Sequence, residues 1–79
     1  MASANHLLDD FGRRLRDARL AAGFSQEELA HHTGLHRTYV GSVERGERNI
    51  SLVNIVTLAA AIHIDPGALI EGMTPTADT

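Results

Sequence analysis

The sequence predicts an all-α protein of five helices in one domain. Three observations carry that prediction. The chain has 79 residues, 43% of them hydrophobic, yet its aromatics are only Phe11, Phe24 and Tyr39, so aliphatic side chains and alanine must fill the core. Apolar residues recur three or four apart, the spacing of one helical face. Between those runs stand helix-end residues: serine or aspartate ahead, glycine behind. The length allows one domain at most. There is no cysteine, which excludes disulfides and thiolate metal sites. A chain this small then relies on regular helix packing or on oligomerisation.

The first helix is predicted from Leu7 to about Ala22, with Leu8, Phe11, Leu15 and Ala18 or Ala22 on one face. Gly23 can take the left-handed conformation that ends it. Ser25 and Glu28 stand in the S-x-x-E spacing of a capping box, each side chain meeting a free backbone N–H of the other. A second helix should therefore run from Gln26 to about Thr33, with Gly34 behind it. A third is predicted over Arg37 to Arg45, followed by Gly46, with Tyr39, Val40 and Val43 inward. Ser51 caps a fourth, Leu52 to about Ile62. Asp65 and Pro66 open a fifth of barely two turns, proline at the first position losing no hydrogen bond. The compact domain should cover residues 6–71, with flexible ends at 1–5 and 72–79.

Charge is unevenly placed. The chain carries a formal −3, yet residues 13–48 hold all seven arginines against five acids. The middle of the chain can face a polyanion and the ends cannot. No apolar run reaches the roughly 18 residues a membrane span needs. The N-terminus lacks the pattern of a signal peptide, so a cytoplasmic protein without membrane association is expected.

The second and third helices are both short and meet at a glycine turn. Ala30 is small enough to let them cross closely and steeply. Such a pair has helix-turn-helix geometry, whose second helix enters the DNA major groove.

The stretch RLAAGFSQEELAHHTGLHRTYVGSVERGERN resembles the helix-turn-helix domain of the phage repressor and Cro family, a lambda-repressor-like fold. The frame SQEELA…TGL…YV…VERG is specific, and the likeness covers about residues 6 to 71. RTYVGSVERGERNISL is most similar to the controller proteins of restriction–modification systems. The resemblance implies base contacts at Arg37, Thr38, Gly41 and Ser42. Chemistry agrees for the first two, which open the third helix. Arginine bonds guanine O6 and N7 bidentately, and threonine offers a hydroxyl or meets a thymine methyl. Gly41 costs about 1 kcal/mol against alanine inside a helix. Either it permits close approach to a base or nothing else fits there. Gln26 opens a helix whose free N–H groups attract phosphate, and the resemblance favours a phosphate contact there over a merely solvent-facing residue. Tyr39, Arg45, Arg48 and Asn49 flank the groove-facing stretch and suit the DNA backbone or a groove edge. His36 either caps the third helix or meets DNA.

In the family, the arginine matching Arg19 pairs with the glutamate matching Glu44. That pairing either holds Arg19 toward a phosphate or serves only as a clamp between helices. His31, His32 and His36 do not make a metal site: adjacent histidines chelate one ion poorly, and nothing nearby completes a set. No cofactor is implied. An enzyme is excluded by the lack of any nucleophile–base–orienter set or phosphate-cradling loop.

The apolar residues between Leu52 and Ile70 exceed what a small core needs. Ile62, Ile64, Leu69 and Ile70 are the candidates for a homodimer seam through the C-terminal helices, unless the fifth helix closes a wider core. The expected function is a dimeric, sequence-specific transcriptional regulator of a near-palindromic operator on double-stranded DNA. The controller likeness implies a restriction–modification operon that includes its own gene, with RNA polymerase as a candidate partner. The alternatives are a generic phage-type repressor and an antitoxin-like protein-interaction module.

Overall fold

The structure is a computed structural model and describes residues 4–75. Its α-helices are α1 (Ala4–Ala21), α2 (Gln26–Thr33), α3 (Arg37–Glu44) and α4 (Leu52–Ala61), with a 3₁₀ turn at Pro66–Leu69. There is no strand among the described residues. Of the ends expected to be loose, 1–5 and 72–79, residues 1–3 and 76–79 lie outside the described residues, and α1 already begins at Ala4.

The helix ends follow the local chemistry. Ser25 accepts from the Glu28 N–H and Glu28 accepts from the Ser25 N–H, a complete capping box on α2. Ser51 caps α4 in the same way by accepting from Asn54 N–H. At the exit of α3, Gly46 has φ +77. Its N–H reaches Val43 O at 3.0 Å, and the next N–H, of Glu47, reaches Ser42 O at 2.9 Å. This is the Schellman closure, which turns the chain sharply out of the helix.

The fifth helix is the departure from expectation. Asp65 does cap its start, accepting from Gly67 N–H at 2.8 Å, but only four residues of 3₁₀ turn follow. Gly67 sits inside the segment and Gly72 closely follows it. A short run that contains glycine cannot repay the cost of nucleating an α-helix. Met73, assigned from the sequence to the loose tail, packs against the core.

The core draws at least one side chain from each element. Leu15, Leu29, Val40, Val43, Leu58 and Leu69 are all fully buried. Each contributes about 1.5–3 kcal/mol by leaving water. Both α1 and α2 pack on α3, and α4 closes the opposite side against α2 and the 3₁₀ turn. The contact of α1 with α3 depends on Gly12: a Cβ there would stand 2.5 Å from the carbonyl oxygens of Val43 and Glu44. The end of α3 thus rests directly on the backbone of α1.

Candidate nucleic-acid interface

The turn between α2 and α3 is Gly34–Leu35–His36. Gly34 takes φ +74, a left-handed conformation that suits glycine. Thr33 secures the corner, donating its hydroxyl to Leu29 O at 2.9 Å and accepting from Leu35 N–H at 3.3 Å. Leu35 leans on the core and fixes the direction in which α3 departs. His36 occupies the N-cap position of α3, but its side chain makes no capping bond and lies exposed.

Val40 and Val43 hold α3 to the core, and that sets which residues face out. Arg37, Thr38, Gly41 and Arg45 line one shallow hollow together with Gln26 from α2. Arg37 and Thr38 are exposed, and neither has a hydrogen-bond or ion-pair partner among the described residues. Gly41 is the buried member of this set. At the position of its absent Cβ, Arg45 Nη1 stands 3.1 Å away and Gln26 Oε1 3.4 Å away. Gly41 is therefore covered by polar side chains that can move.

Ser42, expected beside Arg37 and Thr38 in the base-reading set, differs from them in exposure. It is only 6% exposed. Its hydroxyl donates to Tyr39 O at 2.8 Å and accepts from Arg48 Nε at 3.3 Å. The chain leaving α3 doubles back over Ser42, so Arg48 takes the surface position that the helical spacing gives to the serine. Arg48 and Asn49 are both exposed.

Arg19 and Glu44 form a buried bidentate pair, Nε–Oε2 at 2.6 Å and Nη2–Oε1 at 3.0 Å, with side chains 7% and 2% exposed. Arg19 Nη1 also donates to Phe24 O at 2.7 Å. Gln26 Nε2 completes the set by donating to Glu44 Oε1 at 3.0 Å. Arg19 is thus turned inward and committed. Gln26 is anchored by its amide nitrogen, and its oxygen faces Gly41. This link between Gln26 and Glu44 was not legible in the sequence, since no spacing rule joins residues on different helices.

Tyr39 is half-buried, and its hydroxyl accepts from Asn54 Nδ2 at 3.0 Å. The phenol proton remains available to another acceptor. Arg45 reaches Glu47 at 3.0 Å with both side chains more than half exposed. The hydrogen bond from Arg45 holds the Glu47 carboxyl below its ordinary range. Such an exposed pair is readily exchanged for a phosphate partner.

The histidines of α2 engage other groups. The His32 ring stacks on Phe24 with centroids 5.0 Å apart, and its Nδ1 lies 2.9 Å from Glu28 O. Among the described residues, no three metal-ligating side chains converge.

The residues proposed for a dimer seam divide. Ile62, at the end of α4, and Leu69, in the 3₁₀ turn that packs on α4 and α1, are both core, 4% and 1% exposed. Ile64 is partly buried against the same core, and Ile70 is 47% exposed. The exposed apolar face is instead on α4: Leu52, Val53 and Val56 at 73%, 72% and 45%. Sequence reasoning missed Leu52 because its spacing with Ile55 and Ala59 reads equally well as core.

A short capped helix, a glycine corner, and a second helix offering unpaired polar side chains together define a helix-turn-helix domain. The chain belongs to the Helix-turn-helix family, whose model matches residues 15–69, and it is therefore not an enzyme. It is 43% identical over 65 residues to the control protein C.BamHI of Bacillus amyloliquefaciens, covering 81% of this chain and 80% of that one. The crystal structure of the restriction–modification controller protein C.AhdI from Aeromonas hydrophila has a TM-score of 0.77 at 60% identity. That match covers 78% of this chain and 94% of that one. The restriction–modification controller protein C.Esp1396I, solved as a tetramer with its natural 35 base-pair operator, has a TM-score of 0.74 at 28% identity. Here the coverage is 82% and 86%.

Proposed function

We propose that this protein is a sequence-specific DNA-binding regulator of a restriction–modification operon that includes its own gene. The observation that carries the reading is the outward face of α3. Arg37 is exposed at the start of the helix and has no partner among the described residues, beside Thr38, Gly41 and Arg45. An unpaired arginine beside a hydroxyl residue and a bare backbone is suited to base edges in a major groove. Gln26, Tyr39, Arg48, Asn49 and His36 border that face and suit phosphates or a groove edge. The relatives named as controllers, one of them bound to its operator, support the same reading.

The protein acts as a homodimer joined through the α4 face of Leu52, Val53 and Val56, Ile70 being another exposed aliphatic of the C-terminal segment. A two-fold pair places two copies of α3 one DNA turn apart, about 34 Å, and selects a near-palindromic site. The domain proper spans residues 6–71. RNA polymerase is the partner through which operator occupancy reaches transcription, and the site of action is the cytoplasm.

The test is selection from a random duplex pool, followed by titration of the enriched sequence. A near-palindrome should emerge. Arg37→Ala and Thr38→Ala should each weaken its binding by about 1–3 kcal/mol and leave the melting temperature unchanged. A pool that shows no enriched sequence would overturn the reading in favour of a protein-interaction module.

A further inference from the structure

We infer that Ser42 is a positioning residue for Arg48, aiming the arginine from beneath rather than reading bases itself. This rests on the DNA-binding reading above. The hydrogen bonds at Ser42 have fixed directions. A backbone carbonyl can only accept and a guanidinium can only donate. The hydroxyl proton is therefore committed to Tyr39 O at 2.8 Å, and a lone pair receives Arg48 Nε at 3.3 Å. With the serine 6% exposed, its hydroxyl is largely shielded from bulk water, although the Arg48 side chain it receives is exposed.

The backbone of the same residue does related work. Ser42 O accepts the Glu47 N–H at 2.9 Å, closing the turn that brings residue 48 back over the helix. Ser42 thus holds the exit of α3 twice, through its carbonyl and through its hydroxyl. Only the hydroxyl acts on the arginine. Arg48 is exposed and makes no ion pair among the described residues, though its charge is felt by the nearby Glu47 carboxylate, so its remaining guanidinium N–H groups are open to another acceptor. A long arginine is costly to order, and one held at Nε presents its other donors with less entropy left to lose.

The consequence is a dependence that neither a structural serine nor a base-reading serine would show. Ser42→Ala keeps the backbone closure, removes one hydroxyl and favours the helix, so the fold should persist. On the duplex that the wild-type protein selects from a random pool, Ser42→Ala should bind about fivefold more weakly. Arg48→Ala should also bind more weakly. The double variant should bind no more weakly than Arg48→Ala alone, because the serine acts only through the arginine. A loss at Ser42→Ala that persists in full in the Arg48→Ala background overturns the inference and returns the serine to direct contact. Wild-type affinity in Ser42→Ala also overturns it. A wild-type protein that selects no duplex fails the regulator reading instead. A melting temperature for Ser42→Ala far below wild type would mean a structural serine, again overturning the inference.

Discussion

Glu44 shows how one side chain joins stability to the interface. Its carboxylate takes two hydrogen bonds from Arg19 and one from Gln26, with the side chain 2% exposed. A buried pair is weak evidence for net stabilisation, because desolvation offsets most of the attraction. Breaking it is another matter, since the partner is left charged and buried. Glu44→Ala should destabilise the fold by about 3–5 kcal/mol, measured by urea unfolding. The same change frees the Gln26 amide beside Gly41, so DNA affinity should fall at temperatures where the variant is still folded. A variant that unfolds at the wild-type urea midpoint would show that Arg19 has found another partner. The Arg19–Glu44 pair was legible only through the family frame. The burial of Ser42 was not legible for a physical reason: the helical spacing puts it outside, and the chain that covers it belongs to the next segment. The arginines are better understood once paired ones are set aside. Arg13 and Arg14 share Asp10, Arg19 holds Glu44 and Arg45 holds Glu47. That leaves Arg16 on α1 and, at the entrance and exit of α3, Arg37 and Arg48, none of which makes an ion pair among the described residues. Thus an acidic chain still presents free positive charge on this face.

At the scale of elements, two glycines in helices predict opposite responses to one substitution. Gly12 in α1 and Gly41 in α3 each cost helix propensity, and alanine should regain about 1 kcal/mol at either if space allowed. At Gly12 it does not, for the added carbon would meet two backbone carbonyls at 2.5 Å. Backbone cannot yield cheaply, so Gly12→Ala should lose about 1–3 kcal/mol net as α1 separates from α3. At Gly41 the nearest atoms belong to the ends of Arg45 and Gln26, 3.1 and 3.4 Å away. Those ends can swing aside. Gly41→Ala should hold or raise the melting temperature and weaken operator binding, separating fold from function in one variant. The sequence flagged Gly41 because it sits in the recognition segment. It gave no comparable reason to single out Gly12, whose partner atoms are backbone and leave no mark in residue type. The ends of the first three helices were legible because glycine follows each one. The helix α4 ends with His63 at φ +59, a left-handed turn without glycine, so composition offered no such mark there. The capping box of α2 adds a pH signature. Hydrogen bonds from the Ser25 backbone N–H and hydroxyl group hold the Glu28 carboxyl below its ordinary range. A depressed acid contributes stability that is present above the unfolded-state value and is lost as pH falls through the folded one. Glu28→Gln should therefore flatten the decline of α2 stability on acidification, followed by hydrogen exchange of its first-turn amides.

For the whole molecule, the open question is which apolar surface is left after folding. Counting apolar residues in the last third of the chain indicated a surplus, and the surplus exists. Its location was not legible, because a 3₁₀ turn and an α-helix bury different residues of the same segment. Ile62 and Leu69 were taken into the core, while Leu52 and Val53 remained more than seven-tenths exposed. On α4 they stand with Val56 on the side turned from the core. A small domain that leaves three large aliphatic side chains together in water invites association, and a two-fold contact buries the same patch on both copies. Val53→Glu places a carboxylate in that patch and, if the patch is the proposed seam, brings like charges together between the two copies. Because residue 53 contributes almost nothing to the core, the monomer should keep its helical content. Sedimentation should show the dimer lost, and binding to the two-half-site duplex should collapse toward that of a single half-site. Leu69→Ala is the contrasting variant. Residue 69 is 1% exposed, so its truncation should cost about 2–5 kcal/mol of folding stability. A wild-type sedimentation profile for Val53→Glu would remove α4 from the interface and leave Ile70 and its surroundings as the surface to probe.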